Sequence, residues 1–148
     1  MSVRIPPQIA EFVQQHQRDV IEIRRVGSRE TCDPPPVGTD EDWLILLSPR
    51  PHRNVRQHAE AWFSARGWAV GGSQDEGASS RFVSLTSGDL NVLLTVDVEF
   101  FAGFMIGTSI CKRLNLLDKA DRIAVVRACR ERSECEQRSA DSFGDMLS

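Results

Sequence analysis

This 148-residue sequence lacks long apolar runs, paired cysteines and an excess of positive charge. No stretch approaches the roughly 18–20 apolar residues that span a bilayer, so no membrane partner is expected. The first residues lack the apolar core of a signal peptide, which favours a cytoplasmic protein. The four cysteines contain no CxxC pair, which favours buried or idle thiols in a reducing compartment over a zinc site.

The charge and the composition are those of an ordinary globular domain. The net charge is −3, so the overall charge does not demand a large phosphate-binding surface, although 18 Lys and Arg residues allow a local basic strip. Hydrophobic residues make up 41% of the chain and charged residues 26%. We expect a single domain over residues 1–148, with C-terminal helices from about residue 99 and a polar, frayed tail from about residue 133.

Hydrophobic periodicity predicts the α/β class, a small mixed β-sheet with flanking helices. The apolar run 43–47 indicates a buried central strand, and Ser87-Gly88-Asp89 indicates a hairpin. Residues 29–38 contain three consecutive prolines and are predicted to form a stiff loop without regular structure. The predicted elements are a helix at 8–17, strands at 20–26 and 43–47, a helix at 54–66, strands at 81–86 and 90–96, and helices at 99–117 and 118–132.

Two short motifs carry the chemistry. Gly27 and Ser28 end a predicted strand, where glycine lets a phosphate approach closely and the serine hydroxyl and backbone N–H groups can hold its oxygens. Asp40 and Asp42 stand one residue apart at the start of the apolar run, so strand alternation places both carboxylates on one face. Such a pair suits Mg²⁺, which takes oxygen ligands and keeps substrate phosphates.

The pattern Gly27-Ser28 … Thr39-Asp40-Glu41-Asp42-Trp43-Leu44 resembles the signature of the DNA polymerase β-like nucleotidyltransferase superfamily, especially its minimal single-domain members. The resemblance covers residues 20–97 in element order and implies the nucleotidyltransferase fold. It also implies that Asp40 and Asp42 bind Mg²⁺ or Mn²⁺ with a nucleoside triphosphate, whose outgoing phosphates contact the Gly-Ser turn. An acceptor hydroxyl then attacks the α-phosphorus, and pyrophosphate leaves. The segment 111–123 is similar to phage-encoded small nucleotidyltransferase-like proteins.

The third acid of the family pattern is replaced in this chain. The family has an aspartate on a neighbouring strand, and Asn91 stands at that position in Leu90-Asn91-Val92-Leu93-Leu94. An amide is a neutral ligand and cannot act as a general base. Asp89 and Asp97 are an even number of positions from Asn91. In a regular strand their side chains would therefore lie on the same face as that of Asn91. We therefore assign Asn91 a catalytic position beside Asp40 and Asp42, and Asp97 a metal-binding role.

Two basic residues complete the predicted nucleotide site. Arg29 follows the Gly-Ser turn directly and can reach a triphosphate, and Lys112 belongs to a basic cluster on the last helices. Both also fit an ordinary solvated surface. The predicted nucleotide-binding residues are Gly27, Ser28, Arg29 and Lys112.

Three functions remain open from the sequence. The first is a metal-dependent nucleotidyltransferase that moves an NMP group onto a hydroxyl of a tRNA, a protein or a small molecule. The second, favoured by Asn91, is a weakened or inactive relative that binds a nucleotide or a host macromolecule. The third is a small α/β interaction domain with an acidic loop, which would apply if strands 20–26 and 43–47 were not neighbours. The sequence leaves the nucleotide, the acceptor and the oligomeric state undetermined.

Overall fold

A computed structural model describes residues 3–50, 53–71 and 81–131. The chain divides into two compact units, one formed by Met1–Arg25 and Asp40–Val96 and the other by Val26–Thr39 and Asp97–Ser148. Most of residues 71–80, whose small and polar composition predicts a loop, lies outside the described residues, as do Cys135 and the tail from about residue 133. The elements are α1 Pro7–Gln15, β1 Val20–Val26, α2 Ser28–Thr31, β2 Glu41–Leu47, α3 Val55–Ser64, β3 Ala69–Gly71, β4 Val83–Ser87, β5 Leu90–Thr95 and α4 Val98–Leu114, and residues 119–131 form the helix α5.

A five-stranded mixed sheet organises the first unit. Its strand order is β1-β2-β5-β4-β3, in which β2 pairs with β5 in parallel and β4 pairs with both β5 and β3 in antiparallel fashion. The predicted hairpin is confirmed, because β4 and β5 are joined through Gly88, whose φ of 60° is that of the first position of a type II′ turn. Strands β1 and β2 are neighbours in the sheet. The hypothesis of a small α/β interaction domain required these strands to be apart, so its condition is not met.

One face of this sheet packs against α1 and α3. Trp43, Ile45 and Leu47 of β2 are buried together with Phe12 of α1 and Phe63 of α3. Leu44 and Leu46, which alternate with them, are buried as well. A strand that is buried on both faces needs a continuous apolar run, which is the pattern that predicted a central strand here.

The second unit contains α4 and α5 in close contact. An added Cβ on Gly107 of α4 would stand 2.7 Å from the Val126 Cα of α5, so only glycine allows this approach. The Arg130 guanidinium lies 5.2 Å from the ring centre of Phe100, and Arg130 is a buried residue. This cation–π contact lets a charged side chain belong to the helix interface.

The structure corrects three sequence-based expectations. Residues 28–31 form α2, because Gly27 turns the chain with a φ of 74° and the prolines that prevent helix begin only at residue 34. The helix expected at 99–117 ends at Leu114, because Asn115 adopts the left-handed conformation that terminates helices. The short strand β3 was not predicted, because three residues are too few to show the alternation that marks a strand.

The predicted fold class is confirmed. The protein is α/β, with a mixed five-stranded sheet and packed helices, an arrangement consistent with a nucleotidyltransferase-like fold. Within the described ranges, no helix is both long enough and apolar enough to cross a membrane.

We expect Gly107→Ala to lower the stability of the protein, because the new methyl group must displace the backbone of α5. Overpacking of this kind costs about 1–3 kcal/mol, of which about 1 kcal/mol is offset by the better helix propensity of alanine. Urea denaturation measures the change. Ser109→Ala, at an exposed position of the same helix, is the control and should be neutral or slightly stabilising. A stabilised Gly107→Ala protein would contradict the close helix contact.

Candidate functional site

The polar start of β2 lies on the sheet face opposite α1 and α3. Because strand side chains alternate, Asp42 shares its face with Leu44, whereas Trp43 belongs to the core with α1 and α3. Asp42 is half-buried, and Asp40, which directly precedes β2, is exposed. Since Asp40 stands one residue outside the strand, the alternation fixes the direction of Asp42 but not that of Asp40.

The parallel pairing of β2 with β5 places Asn91 directly beside Asp42. The register aligns Glu41 with Leu90 and Asp42 with Asn91. The backbone N–H of Glu41 also donates to the Asp89 carbonyl at 2.8 Å, which fixes the start of the pairing. The structure therefore brings together Asp42 and Asn91, the residue that the sequence resemblance sets at the position of a third acid.

Asn91 meets Asp42 as a hydrogen-bond donor. Its Nδ2 donates to Oδ1 of Asp42 at 3.0 Å, and its Oδ1 accepts from the Ser84 hydroxyl at 2.8 Å. A hydrogen bond to a charged acceptor contributes roughly 1.5–3 kcal/mol when it is formed inside a protein. The amide N–H group thus stabilises the Asp42 carboxylate without a cation. The amide carbonyl points toward Ser84 and not toward Asp42.

Sequence reasoning missed Ser84. The residue lies on β4 between Val83 and Leu85, and Leu85 is fully buried in the core. Its polar side chain therefore faces the same side of the sheet as Asn91. The predicted hairpin could have revealed this contact. Its alternation of inward and outward side chains sets Ser84 and Asn91 on one face, and diagonal neighbours on adjacent strands lie within reach of each other.

Glu41 separates the two aspartates in the sequence but points away from Asp42. Its carboxylate lies 3.9 Å from the guanidinium of Arg25 on β1. Glu41 thus meets an arginine of the neighbouring strand. The negative charge of Glu41 is thus balanced by Arg25, and it lies on the opposite face of the sheet from Asp42.

The donor set fits one divalent cation better than a centre of three carboxylates. No group of three His, Cys, Asp or Glu side chains within residues 3–50, 53–71 and 81–131 is arranged to hold a metal ion. Mg²⁺, however, is commonly bound by one or two carboxylates together with substrate phosphates. Asp40 and Asp42 can supply such ligands, while Asn91 presents its N–H group to Asp42, and an N–H group cannot bind a metal.

In the second unit, Gly27 and Ser28 begin α2. Gly27 is its N-cap residue, and Ser28 is buried. The Arg29 side chain folds back within this unit, where its Nε and Nη2 donate to the Thr39 carbonyl at 3.0 Å and 2.7 Å. Arg29 therefore closes the proline-rich loop, and the predicted phosphate contacts of these three residues stay predictions.

Lys112 is engaged as well. Its Nζ lies 3.0 Å from a carboxylate oxygen of Glu30 on α2, and its side chain is largely exposed. An exposed ion pair of this kind contributes little to stability and opens readily. The predicted nucleotide-binding role of Lys112 remains a prediction.

Asp97 caps a helix. Strand β5 ends at Thr95, so its alternation does not extend to Asp97, which is the N-cap residue of α4. The Asp97 carboxylate accepts the backbone N–H of Phe100 at 3.0 Å, an interaction that satisfies a helix-terminal donor. Its predicted role as a metal ligand stays a prediction, and the structure adds this structural role.

Two side chains join the proline-rich loop to the helices of its own unit. Asn115 accepts from the Asp33 N–H at 3.0 Å and donates to the Asp33 carbonyl at 3.3 Å, so its amide imitates a paired backbone. Arg122 donates to the Cys32 thiol at 3.3 Å and to the Leu117 carbonyl at 2.6 Å. Neither role leaves a local sequence signal, because the partners are more than 80 residues apart for the loop contacts.

The described cysteines are free thiols, as expected. Cys32 and Cys111 are buried, and Cys129 is partly exposed. Burial raises the pKa of the Cys111 thiol, and the nearby positive charge of Arg122 opposes that shift. A buried thiol that holds its proton is a poor nucleophile and a poor metal ligand.

No protein-family model and no curated protein matches the sequence. Among solved structures, the chain is similar to the crystal structure of the conserved protein GrpB from Enterococcus faecalis. The two chains are 14% identical, the similarity covers 92% of this chain and 98% of that chain, and the TM-score is 0.43. A similarity of this size assigns neither a family nor a function.

We expect Asn91→Asp to lower the free energy of unfolding by about 2 kcal/mol at pH 7, since it replaces a charge-assisted hydrogen bond by two facing carboxylates. The loss should shrink as the pH falls, because the folded protein then binds a proton between the two carboxyls more readily than the unfolded chain does. Urea denaturation at pH 7 and pH 4.5 measures both effects.

The exchanged pair Asp42→Asn/Asn91→Asp is the matched control for this experiment. It keeps one amide and one carboxylate on the same two strands, so part of the lost stability should return. Equal midpoints for the wild type and Asn91→Asp at pH 7 would show that the bond between Asn91 and Asp42 contributes little.

We expect Cys111 to react slowly with iodoacetamide at pH 8, because burial keeps its thiol protonated and out of reach. Mass spectrometry of the digested protein measures the alkylation of each cysteine. Cys129, which is partly exposed, should be modified before Cys111, and these two rates should converge when the protein is unfolded in urea. Rapid labelling of Cys111 in the folded protein would contradict its burial.

Proposed function

We propose that this chain is a nucleotidyltransferase-like protein that binds a nucleoside triphosphate together with one Mg²⁺ or Mn²⁺ ion at Asp40 and Asp42, and that it transfers the NMP group slowly or not at all. The hydrogen bond from the Asn91 amide to Asp42, 3.0 Å long, carries this proposal. It supports a site that keeps two carboxylates for a cation but lacks the third.

The chemistry of transfer explains why the third carboxylate matters. The acceptor oxygen must form a bond to the α-phosphorus while the bond to pyrophosphate breaks, and the hydroxyl proton must leave. A carboxylate can accept that proton, whereas the amide of Asn91 cannot. A bound divalent cation would supply charge neutralisation for the phosphates, which is a large part of catalysis in phosphoryl-type transfer.

An active transferase is the second candidate. It is favoured by the register that sets Asn91 beside Asp42 and by the exposure of Asp40, which a substrate can reach. In that case the acceptor is a hydroxyl of a tRNA, a protein or a small molecule. We retain a cytoplasmic location as part of the proposal. The nucleotide-binding roles of Gly27, Ser28, Arg29 and Lys112 and the metal-binding role of Asp97 remain predictions from the sequence.

Calorimetric titration of each of the four NTPs with Mg²⁺ or Mn²⁺ tests the proposal. We expect the wild type to bind at least one metal–nucleotide pair, and Asp40→Ala/Asp42→Ala to lose this binding, because the carboxylates that hold the cation are gone. Release of pyrophosphate, measured in parallel, should be very slow. Asn91→Asp should bind the metal more tightly, and a faster release of pyrophosphate in this variant would trace the slow transfer to the missing carboxylate.

Glu41→Gln is the control variant. It removes one negative charge from the same strand but on the face paired with Arg25, so nucleotide binding should be unchanged. If the folded wild type binds no nucleotide with either metal, the proposal is wrong. Rapid release of pyrophosphate by the wild type would instead support the active transferase.

A further inference from the structure

A row of polar and small residues crosses four strands of the sheet beside Asp42. Asp42 on β2 aligns with Asn91 on β5, Asn91 accepts from Ser84 on β4, and Ser84 aligns with Gly71 on β3. An added Cβ on Gly71 would stand 3.1 Å from the Ser84 Oγ, so the glycine leaves room for the serine side chain. We call Gly71, Ser84, Asn91 and Asp42 the polar row.

Hydrogen-bond directions along the polar row fix how the Asn91 amide is turned. The Asp42 carboxylate can only accept, so it takes the Nδ2 group of Asn91. The Asn91 carbonyl can also only accept, and it receives the Ser84 hydroxyl proton. A turned amide would set its oxygen against a carboxylate oxygen and would leave the Ser84 proton without this acceptor.

We propose that Ser84 is a positioning residue that holds the Asn91 carbonyl away from Asp42, so that this carbonyl does not become a ligand of a divalent cation bound there. A cation at Asp42 would gain a further ligand if the Asn91 oxygen turned toward it. That turn breaks the hydrogen bond from Ser84, and the serine can regain only part of the loss by accepting from the amide instead. Ser84 therefore opposes the recruitment of Asn91 as a ligand.

The metal-binding consequence rests on the proposed function, whereas the orientation of the amide does not. Removing the Ser84 hydroxyl lets the Asn91 amide turn at lower cost when a cation is present. A neutral hydrogen bond corresponds to a roughly 2- to 10-fold change in an equilibrium constant. Ser84→Ala should therefore bind Mn²⁺ roughly 2- to 10-fold more tightly than the wild type.

Thr86→Val provides a matched control. Thr86 lies directly opposite Asn91 on β4, on the same face of the sheet, yet the hydroxyl that donates to Asn91 is that of Ser84. Loss of the Thr86 hydroxyl should leave Mn²⁺ binding unchanged. Ser84→Thr keeps a hydroxyl at the positioning residue and should behave like the wild type.

Two measurements separate the parts of this inference. Titration of Mn²⁺ alone, followed by electron paramagnetic resonance, gives the affinity and the stoichiometry for each variant. NMR of the Asn91 side-chain amide, without metal and with Mg²⁺, gives its orientation from nuclear Overhauser contacts of the Nδ2 protons with the Hβ protons of Asp42 or of residue 84. The melting temperature of each variant confirms that it is folded.

Tighter Mn²⁺ binding by Ser84→Ala and an amide that turns on adding Mg²⁺ only in that variant would support the inference. Equal Mn²⁺ affinities in the wild type and Ser84→Ala would overturn it. If no variant binds Mn²⁺, both the proposed function and the metal-binding part of the inference fail. The NMR contacts would then still show whether Ser84 orients Asn91.

Discussion

The parallel pairing of β2 with β5 is the constraint on which the sheet and the candidate site both depend. The two strands supply the buried residues Ile45, Leu47, Val92 and Leu94 to one face of the sheet. Their register cannot slip by one residue without turning those side chains to the other face. The same register holds Asp42 and Asn91 side by side, so the core of the first unit positions the polar pair.

A neutral donor and a divalent cation compete for the same carboxylate. The Asn91 amide stabilises Asp42 in the absence of metal, which a third aspartate at position 91 would not do, because two facing carboxylates repel each other. The amide can therefore stabilise the Asp42 carboxylate without a cation at this position. The chemical cost is the loss of a charged metal ligand and of a group that can accept a proton.

The second unit shows how a proline-rich loop is held without regular backbone pairing. Prolines lack the N–H group that regular structure uses, so side chains complete the hydrogen bonding instead. Arg29 closes the loop at Thr39, and Asn115 pairs with the backbone of Asp33. Arg29, which the sequence predicts as a phosphate ligand, therefore also holds this loop, and any binding role of Arg29 must be compatible with that contact.

The sequence by itself determined the α/β class, the central strand, the hairpin and the polar start of β2, because apolar periodicity and turn residues act over a few neighbouring positions. The one-turn helix α2, the strand β3 and the end of α4 depended on backbone conformations and pairings that such patterns do not specify. Only the tertiary structure decided that Asn91 would donate to Asp42 and that Ser84 would orient it. Those contacts join residues on three different strands, and their geometry follows from the sheet register rather than from any local pattern.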